Sequence, residues 1–305
     1  MTELTEFQKK IAALLDGLEL RMNEPMAKHT SFRVGGGAEV MAFPKNVREL
    51  AELLKVSALL DCKCAILGAG TNVLAPDEGL SGLVICLKDC LDGMERLSDN
   101  RIRVMAGVTM SRAAVFAENL GLSGLEFAHG IPGSTGGAVC MNAGAYGGEM
   151  AQVIEGVSVL FPDDGVKYIP CRAMDFGYRR SLLTDHPDAV VLHAVFALQK
   201  GEPAAIRGRM EDLMARRKAS QPLEYPSAGS TFKRPEGYFA GRLIEEAGCK
   251  GLTVGGAQVS EKHAGFVINT GGATCEDVLS LMAEVQRRVK ESSGVVLEPE
   301  VRIVG

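Results

Sequence analysis

Two hydrophobic periods alternate along this chain. Residues 38–44, AEVMAFP, form a near-continuous apolar run that reads as a strand. Asn46, with Glu49 three residues on, is a capping-box variant opening a helix whose apolar face is Val47, Leu50, Ala51, Leu54 and Ala58. CAILG (64–68) returns to a strand, so the chain begins strand, helix, strand, and the second strand leads straight into GAGTNVL. RIRVMAG (101–107) predicts another strand. Thr109 then caps a helix carrying Ala113, Phe116, Ala117 and Leu120, with Gly121 as its stop.

From 123 to 148 the pattern changes. In SGLEFAHGIPGSTGGAVCMNAGAYGG the glycines and small residues are too dense for any regular element. Leu125, Phe127, Ile131, Val139 and Met141 are threaded through it, which favours an ordered loop over a flexible linker. Residues 153–170 read as a hairpin with an Asp-Asp-Gly turn, and AVVLHAVFALQKG (189–201) as a strand ending at a Gly-Glu-Pro break.

Beyond the break, 203–220 predicts a helix with Ile206, Met210, Leu213 and Met214 on one face and a solvated set, Arg207, Arg216 and Arg217, elsewhere. A last helix over 274–293 turns Val278, Met282, Val285 and Val289 inward and stops at Gly294. The strand VVLEPEVRIVG follows, with Val301 and Ile303 on one side and Glu300 and Arg302 on the other. No internal repeat or low-complexity tract interrupts this order.

Composition narrows the class. The 305 residues are 46% hydrophobic and 23% charged, ordinary for a soluble globular chain of two or three domains. No apolar run approaches the ~20 residues a bilayer requires, and the amphipathic, acidic start does not resemble a secretory signal, so a cytoplasmic protein without membrane insertion is expected. Thirty-three basic residues are scattered among 38 acidic ones for a net charge of −5, which argues against nucleic acid as partner. The eight cysteines form no C-x-x-C, and no H-E-x-x-H occurs, so no metal site is expected and the thiols read as packing.

Two glycine-rich stretches are the candidate chemistry. LGAGTNVL follows a strand, where amides freed by glycine can surround a phosphate, although Val73 replaces the third glycine of a dinucleotide fingerprint. A tight structural turn explains the same residues. GIPGSTGGAVCMNAGAYGG is the second, and two such stretches fit a diphosphate-bearing dinucleotide better than two turns. Ser230, in PSAGSTFKRP, has no histidine or aspartate near it and no G-x-S-x-G elbow, so a nucleophile reading fails. Composition alone also reads Arg179, Ser230 and Glu300 as structural.

HTSFRVGGGAE, LGAGTNVL, GIPGSTGGAVCMNAGAYG, YRRSLL, AGSTFKRPEGYFAGRLIEEAGCKGLTVGGAQVSEKHAGFVIN and LEPEVRIVG, in that order, resemble the blocks of the UDP-N-acetylenolpyruvoylglucosamine reductase family over about 28 to 305. The resemblance is to the shorter type, without the extra tyrosine-bearing loop. It implies an α+β chain. An N-terminal helix (1–20) is followed by a two-lobed FAD-binding domain of the vanillyl-alcohol-oxidase-like type, 21–200, with lobes of about 21–87 and 88–200, and by a substrate-binding domain over 203–305.

It further implies FAD held non-covalently between the lobes by Gly68, Ala69, Gly70, Thr71, Asn72 and Val73 and by Gly133, Ser134, Thr135, Gly136, Gly137 and Asn142. NADPH is the implied hydride donor, and the enolpyruvyl group of UDP-N-acetylenolpyruvoylglucosamine the acceptor, giving UDP-N-acetylmuramate for peptidoglycan synthesis. Ser230 is then a proton donor, with Arg179 and Glu300 flanking the substrate carboxylate. Tyr146, Tyr178, Lys218 and Lys233 are implied at the substrate, and a monomer or weak oligomer is expected. Arg234 and Gly265 stand where the family commonly has asparagine. Competing readings are another flavin oxidoreductase of the same fold and a non-catalytic nucleotide-binding protein.

Overall fold

A computed structural model describes residues 3–88 and 90–305. The chain forms two compact units, each with its own hydrophobic core. The first comprises Met1–Met22, Glu39–Ala69 and Gly82–Arg216, and the second Asn23–Ala38, Gly70–Ser81 and Arg217–Gly305.

In the first unit, helix α1 (Glu6–Leu14) opens on a Thr5 capping box, and α2 (Val47–Leu59) on Asn46, whose side chain accepts the Glu49 amide. Strand Cys64–Leu67 pairs in parallel with Leu83–Cys86. A five-stranded antiparallel sheet follows, in the order Gly165–Pro170, Ile154–Phe161, Val190–Ala197, Arg101–Met105, Met94–Ser98. Helix α3 (Met110–Asn119) is capped by Thr109, and Gly121 beyond it takes φ 66°, as the sequence led us to expect.

The glycine-dense stretch is more regular than its composition suggests. It contains helix α4 (Thr135–Cys140), TGGAVC, a sequence of poor intrinsic propensity. Tertiary contacts supply what propensity lacks. The Thr135 amide and hydroxyl both donate to the Val108 carbonyl, at 2.8 and 2.9 Å, and the Gly136 amide donates to Ala106 O at 2.9 Å. A Cβ on Gly136 would sit 3.1 Å from the Ala106 Cβ, so glycine lets the helix seat against the strand before it.

Helix α5 (Pro203–Ser220) buries Ile206, Met210 and Leu213. Of the three arginines read as a solvated set, Arg207 and Arg216 are exposed, as the pattern suggested, and only Arg217 departs from that face. Arg207 reaches the buried Glu118 carboxylate at 2.6 Å, Arg216 pairs with Asp212 at 3.1 Å, and Arg217 is itself buried. A carboxylate out of water needs such a partner.

The second unit packs α6 (Ala240–Glu246) and α7 (Cys275–Ser293) with a three-stranded antiparallel sheet, Thr253–Val254, Ala257–Val259 and Val267–Asn269. Thr274 and Asp277 form the capping box of α7 and Gly294 ends it at φ 74°. Asp77 adds a second cap from far upstream, its two carboxylate oxygens accepting the Cys275 and Glu276 amides at 2.7 and 3.0 Å. The final strand is shorter than expected: only Arg302–Ile303 pairs, in parallel with Val73–Leu74, and Phe232 bridges Pro299. Proline lacks the donor a longer ladder needs. Val301 is buried, but Ile303 is exposed, so the expected alternation fails at its last position.

Candidate active site

The glycine motifs meet within the first unit. Gly68 follows strand Cys64–Leu67 so closely beside Ser134 that a Cβ on it would stand 2.9 Å from the Ser134 Oγ. Ser134 Oγ in turn accepts the Gly137 amide at 3.4 Å. Gly133 adopts φ 131°, a region essentially closed to side chains, and its carbonyl accepts the Met110 amide at 3.1 Å. Two bare backbone stretches are thereby brought close together.

Asn142 continues this loop in a left-handed conformation, φ 40°. Its buried amide is engaged at both ends: Oδ1 accepts from the Ala151 amide at 2.9 Å and Nδ2 donates to Gly177 O at 3.0 Å. It therefore couples the glycine loop to the YRRSLL turn. There Gly177 and Arg180 exchange backbone hydrogen bonds of 3.0 and 3.2 Å, and Arg179 sits in the turn at φ 55°. The two arginines differ: Arg180 pairs with Asp175 at 2.8 Å and Asp185 at 3.3 Å, whereas the Arg179 guanidinium lies 5.1 Å from the centroid of the Tyr178 ring. Tyr178 and Tyr146 are exposed, the latter at φ 54°.

In the second unit Gly70 takes φ 63°, and a Cβ there would overlap the His29 carbonyl oxygen. Its own carbonyl accepts the Ser31 amide at 2.9 Å. Asn72 Nδ2 donates to Glu300 O at 3.0 Å, and Val73 pairs with Arg302, so the end of the first glycine motif and the C-terminal segment are one structure.

Ser230 stands between two fixed neighbours. Gly229 has φ 76°; Thr231 donates its amide to Gly265 O at 2.9 Å, accepts the Glu300 amide on its carbonyl at 2.8 Å and accepts the Val267 amide on its hydroxyl at 2.9 Å. Gly265 is bare because a Cβ would lie 2.9 Å from the His263 ring, whose Nδ1 accepts the Gly265 amide at 3.1 Å. Burial holds the His263 pKa below the ordinary imidazole value.

The lysines are placed differently from one another. Lys233 pairs with Glu298 at 3.1 Å, while Lys218, at the exposed end of α5, offers its carbonyl to Lys262 Nζ at 2.8 Å. Arg234 lies 4.0 Å above the Phe239 ring and donates Nε to Tyr238 O at 3.2 Å. Burial raises the Cys64, Cys90 and Cys275 thiols to about 11, so these thiols stay protonated at neutral pH. Sequence reasoning missed Thr231 and Asp77, neither of which carries a local signal.

Residues 38–167 match the family model described as FAD binding domain, which makes the chain a flavoprotein of α+β architecture with FAD as its cofactor. The glycine cradle around Gly68, Gly133 and Ser134 fits that group. Residues 221–304 match the model for the C-terminal domain of UDP-N-acetylenolpyruvoylglucosamine reductase. The enzyme of that name from Clostridium novyi is 46% identical over 305 residues, covering 100% of this chain and 98% of the relative. Its namesake from Caldanaerobacter subterraneus is 47% identical, with 97% of each chain covered. The crystal structure of UDP-N-acetylenolpyruvylglucosamine reductase (MurB) from Thermus caldophilus superposes with a TM-score of 0.77 at 35% identity, covering 94% of this chain and 99% of that one. The chain belongs to the UDP-N-acetylenolpyruvoylglucosamine reductase family.

Proposed function

We propose that this protein reduces the enolpyruvyl double bond of UDP-N-acetylenolpyruvoylglucosamine with NADPH, giving UDP-N-acetylmuramate for peptidoglycan synthesis. It works in the cytoplasm, as a monomer or weak oligomer, with its FAD non-covalently held. The observation that carries the reaction is the full-length likeness to reductases of that name, 46% identity across 100% of the chain. No helix among the described residues is long and apolar enough to cross a membrane.

FAD, which the glycine stretches around Gly68, Gly133 and Ser134 would hold, would supply the hydride chemistry that links NADPH to the substrate. Hydride arriving at the carbon β to the carboxylate leaves negative charge on the α carbon and the carboxylate oxygens. Ser230 Oγ–H donates the proton that the α carbon needs. A serine acting as acid requires no histidine behind it. The support for this assignment is its frame, left-handed Gly229 on one side and triply bonded Thr231 on the other, which fixes the backbone that carries the hydroxyl.

Arg179 is assigned to the substrate carboxylate, where a guanidinium makes charge-assisted hydrogen bonds. Glu300 is assigned to the same carboxylate, its backbone held by Thr231 and Asn72. Lys218 and Lys233 are assigned to the diphosphate. The Lys233–Glu298 pair is exposed and worth about 0–1 kcal/mol, so a diphosphate can displace it. Tyr146 and Tyr178, both exposed, are assigned to the sugar nucleotide. Incubating the FAD-loaded protein with NADPH and the enolpyruvyl substrate tests the assignment. Mass spectrometry should find a product two hydrogens heavier in amounts matching the NADPH consumed; NADPH loss without that product would sink it.

A further inference from the structure

The restraints on the backbone around Ser230 lead to an imidazole. The Thr231 amide donates to Gly265 O at 2.9 Å, and the Gly265 amide donates in turn to His263 Nδ1 at 3.1 Å. All four residues lie in the second unit. A Cβ on Gly265 would stand 2.9 Å from the His263 ring, so a bare residue lets the amide come this close.

The ring is fixed. The His263 carbonyl accepts the Phe266 amide at 3.0 Å, its amide donates to Ser260 Oγ at 3.3 Å, and the Phe266 ring meets the imidazole edge-on with centroids 5.0 Å apart. Helix α6 packs over it at Gly241, where a Cβ would lie 3.2 Å from His263 Cε1. The charged groups that act on it are Lys250 and Glu245, which pair with each other at 2.7 Å. On its own loop Glu261 lies against Gly251, while Lys262 reaches Lys218 O at 2.8 Å and Glu224 at 3.7 Å.

A ring nitrogen that accepts an amide carries no proton, which makes this imidazole the neutral tautomer with its proton on Nε2. Burial favours that neutral form. Protonation sets an N–H against the Gly265 N–H, two donors facing each other, and the first link of the chain is lost.

We propose that His263 is a positioning residue for Ser230, acting through Gly265 and Thr231, and that only its neutral form holds the serine backbone where Oγ–H can donate its proton. The inference rests on Ser230 as the proton donor. It concerns the step after flavin reduction and leaves reduction by NADPH untouched.

The test uses full-length FAD-loaded protein in stopped flow, reduced with NADPH and then mixed with the enolpyruvyl substrate, each half-reaction being timed separately. At about pH 7.5, His263→Leu, which removes the acceptor, should slow substrate-driven reoxidation by about tenfold with flavin reduction unchanged. His263→Asn, whose side-chain carbonyl replaces Nδ1, should stay within about threefold of the parent. As pH falls below 6.5, the ratio of the parent reoxidation rate to that of His263→Asn should drop, with the midpoint at which histidine-15N NMR shows His263 taking up its proton. Titration of the flavin or the substrate cancels in that ratio. In a Ser230→Ala background His263→Leu should cost nothing further, because the group it positions is gone.

Reoxidation in His263→Leu within about twofold of the parent, equal slowing of both half-reactions, or a full further loss in the Ser230→Ala background each overturns the proposal. Reoxidation of Ser230→Ala itself at the parent rate sinks the proton-donor reading instead. If His263→Leu does not fold, the pH dependence of the parent-to-Asn ratio decides alone, and a ratio that stays flat across the NMR midpoint overturns the proposal.

Discussion

The Glu300 amide donates to the Thr231 carbonyl at 2.8 Å, so the residue after Ser230 and the last candidate acid of the chain are joined backbone to backbone. Ser230 is thereby held without using its own side chain. Replacing Ser230 by Ala should leave the frame and the FAD content intact. Turnover should fall by roughly 10²–10⁴-fold, the usual worth of a positioned acid, while flavin reduction by NADPH keeps its rate. Stopped-flow measurement of the two half-reactions separates these effects, and normal turnover would remove Ser230 from the chemistry.

Local signals made most of the helices legible. Thr109 and Gly121 bracket α3, and Thr274 and Gly294 bracket α7, because a cap and a left-handed stop are encoded within a few residues of the helix. Helix α4 was not legible: glycines at 136 and 137 speak against helix, and what holds it is the distant strand end at Ala106 and Val108. The second unit draws Asn23–Ala38 and Gly70–Ser81 to Arg217–Gly305 by contacts such as Asp77 with α7, which no spacing rule contains. The candidate site divides in the same way. The glycine motifs announce themselves, but Arg179, Ser230 and Glu300 are common residues on unremarkable segments. Only the ordered set of family blocks singled them out.

Arg179 occupies a left-handed turn position at φ 55°, a conformation that costs a side-chain-bearing residue about 1–2 kcal/mol. Arg179→Gly should therefore stabilise the protein by up to about 1 kcal/mol in urea unfolding while severely lowering activity. A variant that lost stability and kept activity would mark the arginine as structural.

The contact of Gly68 with Ser134 makes a paired prediction. Gly68→Ala places a methyl 2.9 Å from Ser134 Oγ and should cost about 1–3 kcal/mol, with loss of FAD occupancy. In a Ser134→Ala background the added methyl should cost measurably less, because the opposing oxygen is gone. Additive effects would contradict the close approach.

Burial lowers the pKa of both His193, where the nearby Arg103 adds to the effect, and His263 below the ordinary 6.5. The unfolded chain then takes up protons first as pH falls. Stability is full above the unfolded value and decreases as pH drops through 6.5, levelling off below the folded values. Denaturation midpoints should fall from about pH 7.5 to about pH 5.5, and fall less in His263→Asn, which keeps an acceptor for Gly265. A flat profile across that range would contradict the assignment.

The reaction itself is tested most directly by an anaerobic visible spectrum of the FAD-loaded protein, reduced with NADPH and then mixed with UDP-N-acetylenolpyruvoylglucosamine. The expected record is bleaching of the flavin band by NADPH, followed by full return of the oxidised spectrum when the substrate is added. Bleaching that persists after addition of the substrate would contradict the proposed acceptor. A flavin that NADPH cannot bleach would contradict the reductase reading altogether.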